Sequence, residues 1–265
     1  MEVTLRKYFA TVLLPQHILS IAAIVHLFVT GQLVWLIATF VAWFLFYVVG
    51  EGIVLHRYYS HKSYDCNENI AKIFSLFALM GGFGTPIGYR GIHIMHHQHS
   101  DTERDPHSPH APNKSWWHGY MGWYLSPLAT DSSILVYSRH LLRDPFYPFV
   151  EKHRIKLWWA FAVVIGLISW ELLIYTMGLA GLIGYHMTNI TTSFSHGIGS
   201  RRFDTADKST NMWWWSWFCW QGSGALQNNH HAKPARYHDS HAWYELDVGK
   251  WLIPLFAKKI NYPDA

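Results

Sequence analysis

Apolar positions along the chain gather into two long runs near the N-terminus and a looser pair in the second half, with a polar, histidine-bearing stretch between them. Residues 8–30 form the first run, interrupted by Pro15, Gln16 and His17, and residues 33–55 form a stronger one with Glu51 near its end. About 20 residues cross about 30 Å of hydrocarbon, so each run predicts a span. Only Gly31 and Gln32 separate them, which predicts a tight helical hairpin. Residues 157–177 read as a third span and 178–195 as a weaker fourth carrying His186, Asn189 and several Thr and Ser. Between the pairs, residues 70–88 are apolar but hold Gly81, Gly82, Gly84 and Pro86, and are expected to form an interfacial or re-entrant helix. Segment 212–220 contains Trp213, Trp214, Trp215, Trp217 and Trp220, as expected of aromatic side chains at a headgroup interface. The tail, with Trp251, Leu252, Ile253, Leu255 and Phe256 before Lys258 and Lys259, reads as a short amphipathic helix on the membrane.

Charge orients these spans. Arg6 and Lys7 precede the first, Lys152, Arg154 and Lys156 precede the third, and Arg201, Arg202 and Lys208 follow the fourth, whereas both hairpin tips lack basic residues. The positive-inside rule then places both termini and the segment 56–156 in the cytosol. The expected fold is an all-α, multi-pass integral membrane protein: four transmembrane helices in two hairpins, one domain over 1–265, and a cytosolic cap from 56–156 and 196–265. Composition agrees, with 14% charged and 17% aromatic residues against roughly 25% charged in soluble domains. A mean hydropathy of +0.02 leaves room for a substantial polar part. Cys66 and Cys219 form no thiolate metal motif, and a net charge of +4, scattered along the chain, excludes a nucleic-acid partner.

The chemistry concentrates at residues 93–107, where five histidines and three acids share fifteen positions. His93, His96 and His97 are spaced i, i+3, i+4, so a helix would project all three imidazoles from one face. Imidazole suits zinc, copper, iron and nickel alike. His56 and His61 stand where the second span ends; on an ideal α-helix their rings lie about 140° apart, and they converge only if the helix ends between them. His196 follows the fourth span, and His230 and His231 close the run Gln227-Asn228-Asn229-His230-His231. Adjacent histidines on a helix diverge by about 100°, which suits two metals better than one. Eight histidines on one membrane face are what two ions need at four ligands each. Asp101, Glu103, Asp105 and His107 are candidate partners that fix imidazole tautomers.

These boxes, HxxxxH, HxxHH and a final HH, resemble in order and spacing those of the membrane fatty-acid desaturases. The likeness extends to Asp105-Pro106-His107, to His118-Gly-Tyr-Met-Gly122-Trp123, to His196-Gly-Ile-Gly199 with Arg201, Phe203, Asp204 and Thr205, and to Asn228-Asn229-His230-His231, which is close to the bacterial acyl delta-9 type. The resemblance implies two irons, with His56, His61, His93, His97 and His231 on one and His96, His196 and His230 on the other. One position departs from the acyl-CoA type: Gln227 stands where that type has histidine, giving QxxHH, a form met in front-end desaturases. The second iron would be one imidazole short and would take water or the amide oxygen. The family's water-holding Asn four residues before the lone histidine is Thr192 here, with Asn189 one turn earlier.

The resemblance further implies oxygen-dependent desaturation of a long acyl chain near the delta-9 position, with O2 as co-substrate and the chain carried as acyl-CoA, acyl-ACP or acyl-lipid. Electrons would come from a separate ferredoxin or b-type cytochrome. A hydroxylase or ketolase of the same superfamily would use the same centre and return oxygen to carbon. A non-catalytic membrane haem or metal binder, the alternative of a different class, would use histidines inside the spans, such as His17, His26 and His186.

Overall fold

The computed structural model describes residues 5–126 and 131–262. Helices dominate; the only sheet among the described residues pairs Tyr64–Asp65 with Lys259–Ile260, antiparallel, tying the C-terminal tail to the end of the second helix.

Two helices, Leu5–Thr30 and Trp35–Ser60, are long and apolar enough to cross a membrane. Gly31 closes the first in a left-handed conformation (φ 65°), which only glycine adopts without strain. Pro15 and Gln16, which interrupt the apolar pattern, do not break the helix. The turn before them, Phe9–Leu13, is π-helical, and Pro15 enters the following α-helical stretch at its first turn, where no N–H is needed. Gln16 is fully buried, and its Nε2 donates to the carbonyls of Gly81 (3.0 Å) and Met177 (2.9 Å), binding the first helix to two distant segments.

The second pair of helices turns earlier than the apolar pattern predicts. Phe146–Ile168 is one helix, and Trp170–Leu173, Ile174–Ala180 and Gly181–Phe194 follow one another as a second. The break is at Ser169, not at residues 177–178, because the Ser169 side chain caps the new helix by accepting from the Leu172 N–H at 3.0 Å and donates to Glu171 at 2.7 Å. The expected boundary at Met177-Gly178 lies inside a π-helical run, where Gly178 lets the Leu19 backbone approach. Trp35 stacks on Tyr175, and Thr39 donates to the Tyr175 carbonyl at 3.1 Å, so the two hairpins pack side by side. Phe28, Val29, Leu33, Leu167 and Ile168 are all largely exposed.

The re-entrant segment expected at 70–88 is two elements. Glu68–Met80 is a helix packed on the second span, and Gly81–Gly84 turn the chain, with Gly82 and Gly84 at φ 88° and 91°. The helix Pro86–His99 then begins under a Thr85 cap, its hydroxyl accepting from the Gly88 N–H at 3.1 Å. Two short helices carry aromatic faces outward: Trp213–Cys219 exposes Trp213, Trp214, Trp217 and Phe218, and Gly249–Phe256 exposes Trp251 and Leu255. Cys66 and Cys219 are buried and unpaired.

Candidate metal centre

Three elements bring the histidines together. Phe44–Ser60 at the end of the second span is π-helical, and the pattern continues into the cap, where the His61 N–H donates to the His56 carbonyl at 3.2 Å. A turn closed by i→i+5 bonds sets the fifth residue beneath the first. The two rings therefore meet at 4.8 Å between centroids, where an α-helix would have turned them apart. The helix Pro86–His99 presents His93, His96 and His97 from its last turns. Gln227–Ala232 presents His230 and His231, and is held by Asn211, whose side chain accepts from the Asn229 N–H (3.1 Å) and donates to its side chain (2.8 Å).

The imidazoles fall into two groups. His56, His61, His93 and His230 have ligand atoms mutually within 4.8 Å, as do His96, His196 and His231. His97 joins the first, its Nε2 3.1 Å from that of His93 and 2.9 Å from that of His230. The pairing of the last box is thus the reverse of that expected: His230 belongs with the first group and His231 with the second. Their rings do diverge, with an interplanar angle of 81°, but the helix Gln227–Ala232 is set so that the His230 Nε2 faces His56 at 3.1 Å and the His231 Nε2 faces His96 at 3.2 Å.

Carboxylates organise the second group. Asp105 bonds His96 Nδ1 at 2.9 Å, Asp101 bonds His196 Nδ1 at 3.1 Å and Asp207 bonds His231 Nδ1 at 2.7 Å. Burial works to raise all three acids, but their histidine partners and further donors hold them well below the usual carboxylate range. Burial and the surrounding imidazoles hold His93, His97 and His230 far below the ordinary histidine value, so these rings are neutral.

This donor set fits metal ions. In the neutral rings, with Nδ1–H committed to Asp105 and to Asp207, His96 and His231 would each turn a bare Nε2 lone pair toward the other at 3.2 Å; against burial, Asp105 raises His96 above its ordinary value, so the gap favours a proton or a metal ion. Two facing lone pairs repel, and a cation held between them converts that contact into attraction. Two ligands at right angles on metal–imidazole bonds of about 2.1 Å, the zinc value, stand about 3 Å apart, which matches Nε2 separations of 2.7–3.2 Å across both groups.

The remaining expected residues divide. His107 stacks on His96, with centroids 4.3 Å apart. Glu103 is exposed, because the tight turn after His99 aims it outward, and it supports no imidazole. Gln227 and Thr192 line the cavity beside both groups, with Glu51, His56, His93, His96, His107 and His196. Asn189 is buried but does not line this cavity; its carbonyl accepts from the Thr192 hydroxyl at 3.1 Å. His17, His26 and His186 lie apart, engaged with the Leu13 carbonyl, the Tyr175 hydroxyl and the Tyr120 hydroxyl. Sequence reasoning missed Asp207, and also Asp239, whose Oδ1 lies 3.6 Å from His230 Nδ1. Each is a single acid in a polar loop, with no spacing that ties it to a box.

A second, apolar cavity, lined by Tyr8, Phe83, Ile92, Trp123, Tyr124, Ile134 and Tyr185, abuts the first. Tyr89, His93, His107, Thr188 and Thr192 border both.

A sequence model of the fatty acid desaturase family matches residues 30–262. The chain is 29% identical to the sn-1 stearoyl-lipid 9-desaturase of Anabaena variabilis over 225 residues, 83% of this chain and 80% of the relative. It is 30% identical to Delta-9 acyl-lipid desaturase 2 of Arabidopsis thaliana over 251 residues, covering 89% and 76% of the two chains. It is 31% identical to the sn-2 palmitoyl-lipid 9-desaturase of Nostoc sp. (strain 36) over 231 residues, covering 83% and 79%. With its histidine groups set against an apolar cavity, the chain belongs to the fatty acid desaturase family and is an oxidoreductase of that family.

Proposed function

We propose that this protein is a four-span membrane enzyme of a single domain that introduces a double bond near the delta-9 position of an acyl chain esterified to a membrane lipid, using two histidine-held irons, O2 and electrons from a separate ferredoxin or b-type cytochrome. One observation carries the reading: the wall shared by the apolar cavity and the histidine groups, formed by Tyr89, His93, His107, Thr188 and Thr192. The relatives named above act on lipid-linked stearoyl or palmitoyl chains, which favours an acyl-lipid over a thioester carrier.

The exposed apolar side chains Phe28, Val29, Leu33, Leu167 and Ile168 would face lipid at the tips of both hairpins. The basic residues near Arg6, Lys152 and Arg201 support a cytosolic side for both termini and the histidine groups. Trp213, Trp217, Trp251 and Leu255 rest at the headgroup level.

Unactivated methylene hydrogens lie beyond any side-chain base, and the iron pair supplies the oxidising power to remove them. His56, His61, His93, His97 and His230 would hold one ion, and His96, His196 and His231 the other, with Gln227 or a water seated by Thr192 completing it. Asp101, Asp105 and Asp207 keep the proton on Nδ1, so that Nε2 remains the donor atom. Ile92, Ile134 and Trp123 exclude water from the acyl chain and restrict which carbons reach the shared wall.

The test is expression in a host with a donor system, followed by location of double bonds in its lipids and metal analysis of the purified protein. New unsaturation with two equivalents of iron and no haem is expected. Absence of new unsaturation across supplied acyl chains refutes the reading, and oxygenated products would establish a hydroxylase in its place.

A further inference from the structure

Glu51 is a carboxyl that the histidine groups do not account for. It is 5% exposed, lines the cavity beside both groups and belongs to neither set of clustered ligand atoms. On the π-helical segment it stands five residues before His56, so it continues the row of His56 and His61 into the cavity. Its neighbours make room for its partners. A Cβ on Gly52 would strike the Gln221 side-chain amide, 2.8 Å from Nε2, and one on Gly50 would meet the Ala78 nitrogen at 2.8 Å.

Both sides of the carboxyl have neighbours. The Tyr89 hydroxyl donates to Glu51 Oε1, and the Tyr89 ring stacks on His93 with centroids 5.8 Å apart. Tyr89 borders both the apolar cavity and the one at the histidines. On the other side Gln221 shares the cavity wall with Glu51 and donates from Nε2 to the Tyr47 carbonyl at 2.8 Å. Gln221 and Ser223 also line a third, small cavity that continues to Arg57 and Asp247. Glu51 therefore lies between the histidine groups and, through Gln221, a small cavity bordered by the buried ion pair of Arg57 and Asp247, distinct from the larger apolar cavity.

Desaturation needs a supply of protons. In each turnover two C–H bonds and the O=O bond break, and one C=C bond and four O–H bonds form. The substrate gives two electrons and two protons, the donor protein gives two electrons, and solvent must supply the other two protons, yielding two waters. Asp101, Asp105 and Asp207 are committed to imidazole Nδ1 atoms, and His107 is packed against His96 and Asp105. We propose that Glu51 carries those two protons, one at a time, from the cavity of Asp247 and Gln221 to oxygen as it is reduced, with Tyr89 orienting its carboxyl. The inference rests on the desaturase reading.

Two variants test it in the purified, iron-loaded enzyme: Glu51→Gln, which keeps the shape but cannot exchange a proton, and Glu51→Asp, which can. E51Q is expected to bind as much iron as wild type, turn over about a hundredfold more slowly, the lower range for a lost general acid, and release reduced oxygen without product. E51D is expected to retain product formation within about tenfold of wild type, with a larger solvent deuterium isotope effect. Independently of turnover, the infrared difference spectrum between oxidised and reduced wild type should contain a protonated-carboxyl stretch that E51Q lacks. Wild-type turnover and coupling in E51Q, loss of iron from E51Q, or absence of that band from wild type overturns the proposal. A wild-type enzyme that makes no double bond refutes the desaturase reading instead.

Discussion

Asp207→Asn isolates what a carboxylate contributes to the second histidine group. Asp207 accepts from His231 Nδ1 at 2.7 Å, from the Ser209 N–H at 3.0 Å and from the Thr205 hydroxyl at 2.9 Å. Asparagine keeps the shape and can leave its one acceptor oxygen on His231, its amide nitrogen then facing the Ser209 N–H and the Thr205 hydroxyl, so the variant removes the charge and weakens the loop contact. A hydrogen bond to a charged group is worth about 1.5–3 kcal/mol net. With the acceptor retained, about half of that, roughly 1–1.5 kcal/mol, should be lost, which is close to tenfold in affinity at about 1.4 kcal/mol per decade. That matches the lower end of the roughly 10–100-fold effects seen for groups that orient metal ligands. The loss should be one-sided, because His231 is the one imidazole that Asp207 bonds among the described residues. Titrating the iron-loaded protein with a competing chelator should release one equivalent at about tenfold lower chelator than in wild type, with the other unmoved. Asp204→Asn, at an exposed acid three residues away, should behave as wild type. Equal loss of both equivalents, or a D207N titration identical to wild type, refutes the assignment of His231 to a separate ion.

His96→Ala removes the ring that faces His231 and strands the buried Asp105; it should take iron from two equivalents toward one and abolish product, and full activity would contradict the ligand set. Gln227→His places an imidazole on the cavity wall and should preserve or raise iron content, whereas a clear loss would show that residue 227 does not face the second ion. Burial, with Arg236 beside it, pushes His238 down to about 4 from the ordinary value of 6.5. Between those values the unfolded chain binds the extra proton, so stability falls as pH drops from 6.5 toward 4. His238→Gln should lessen the fall in Tm between pH 7 and pH 5, and an equal fall in both proteins would refute the assignment.

The i, i+3, i+4 histidines were legible because an α-helix of any origin puts them on one face, and Pro86–His99 is such a helix. The two long apolar helices before residue 60 were legible because uniform apolar length leaves little else for the chain to do. The turn at Ser169 was not, since a single serine cap inside an apolar run outweighs the run itself, and hydropathy does not register a hydroxyl bonded to Leu172. The convergence of His56 and His61 was hidden by assuming 3.6 residues per turn. The same assumption concealed Glu51, which reads as an interruption in a span until the five-residue row is seen. Asp207 and Asp239 were hidden for another reason: they stand 24 and 9 positions from their histidines, and no local period records such a contact.

The π-helical segment Phe44–Ser60 gives the second long helix a residue spacing of its own. Removing one residue between Glu51 and His56 would let that turn close as an α-helix, with the pair at i, i+4 and still on one face. Substitutions that keep the residue count but favour α bonding would do the opposite: five positions apart, the rings of His56 and His61 would turn about 140° from each other, while every residue of the three boxes remained in the sequence. The presence of the histidines is therefore a weaker guide to an assembled centre than the helix type that sets their spacing.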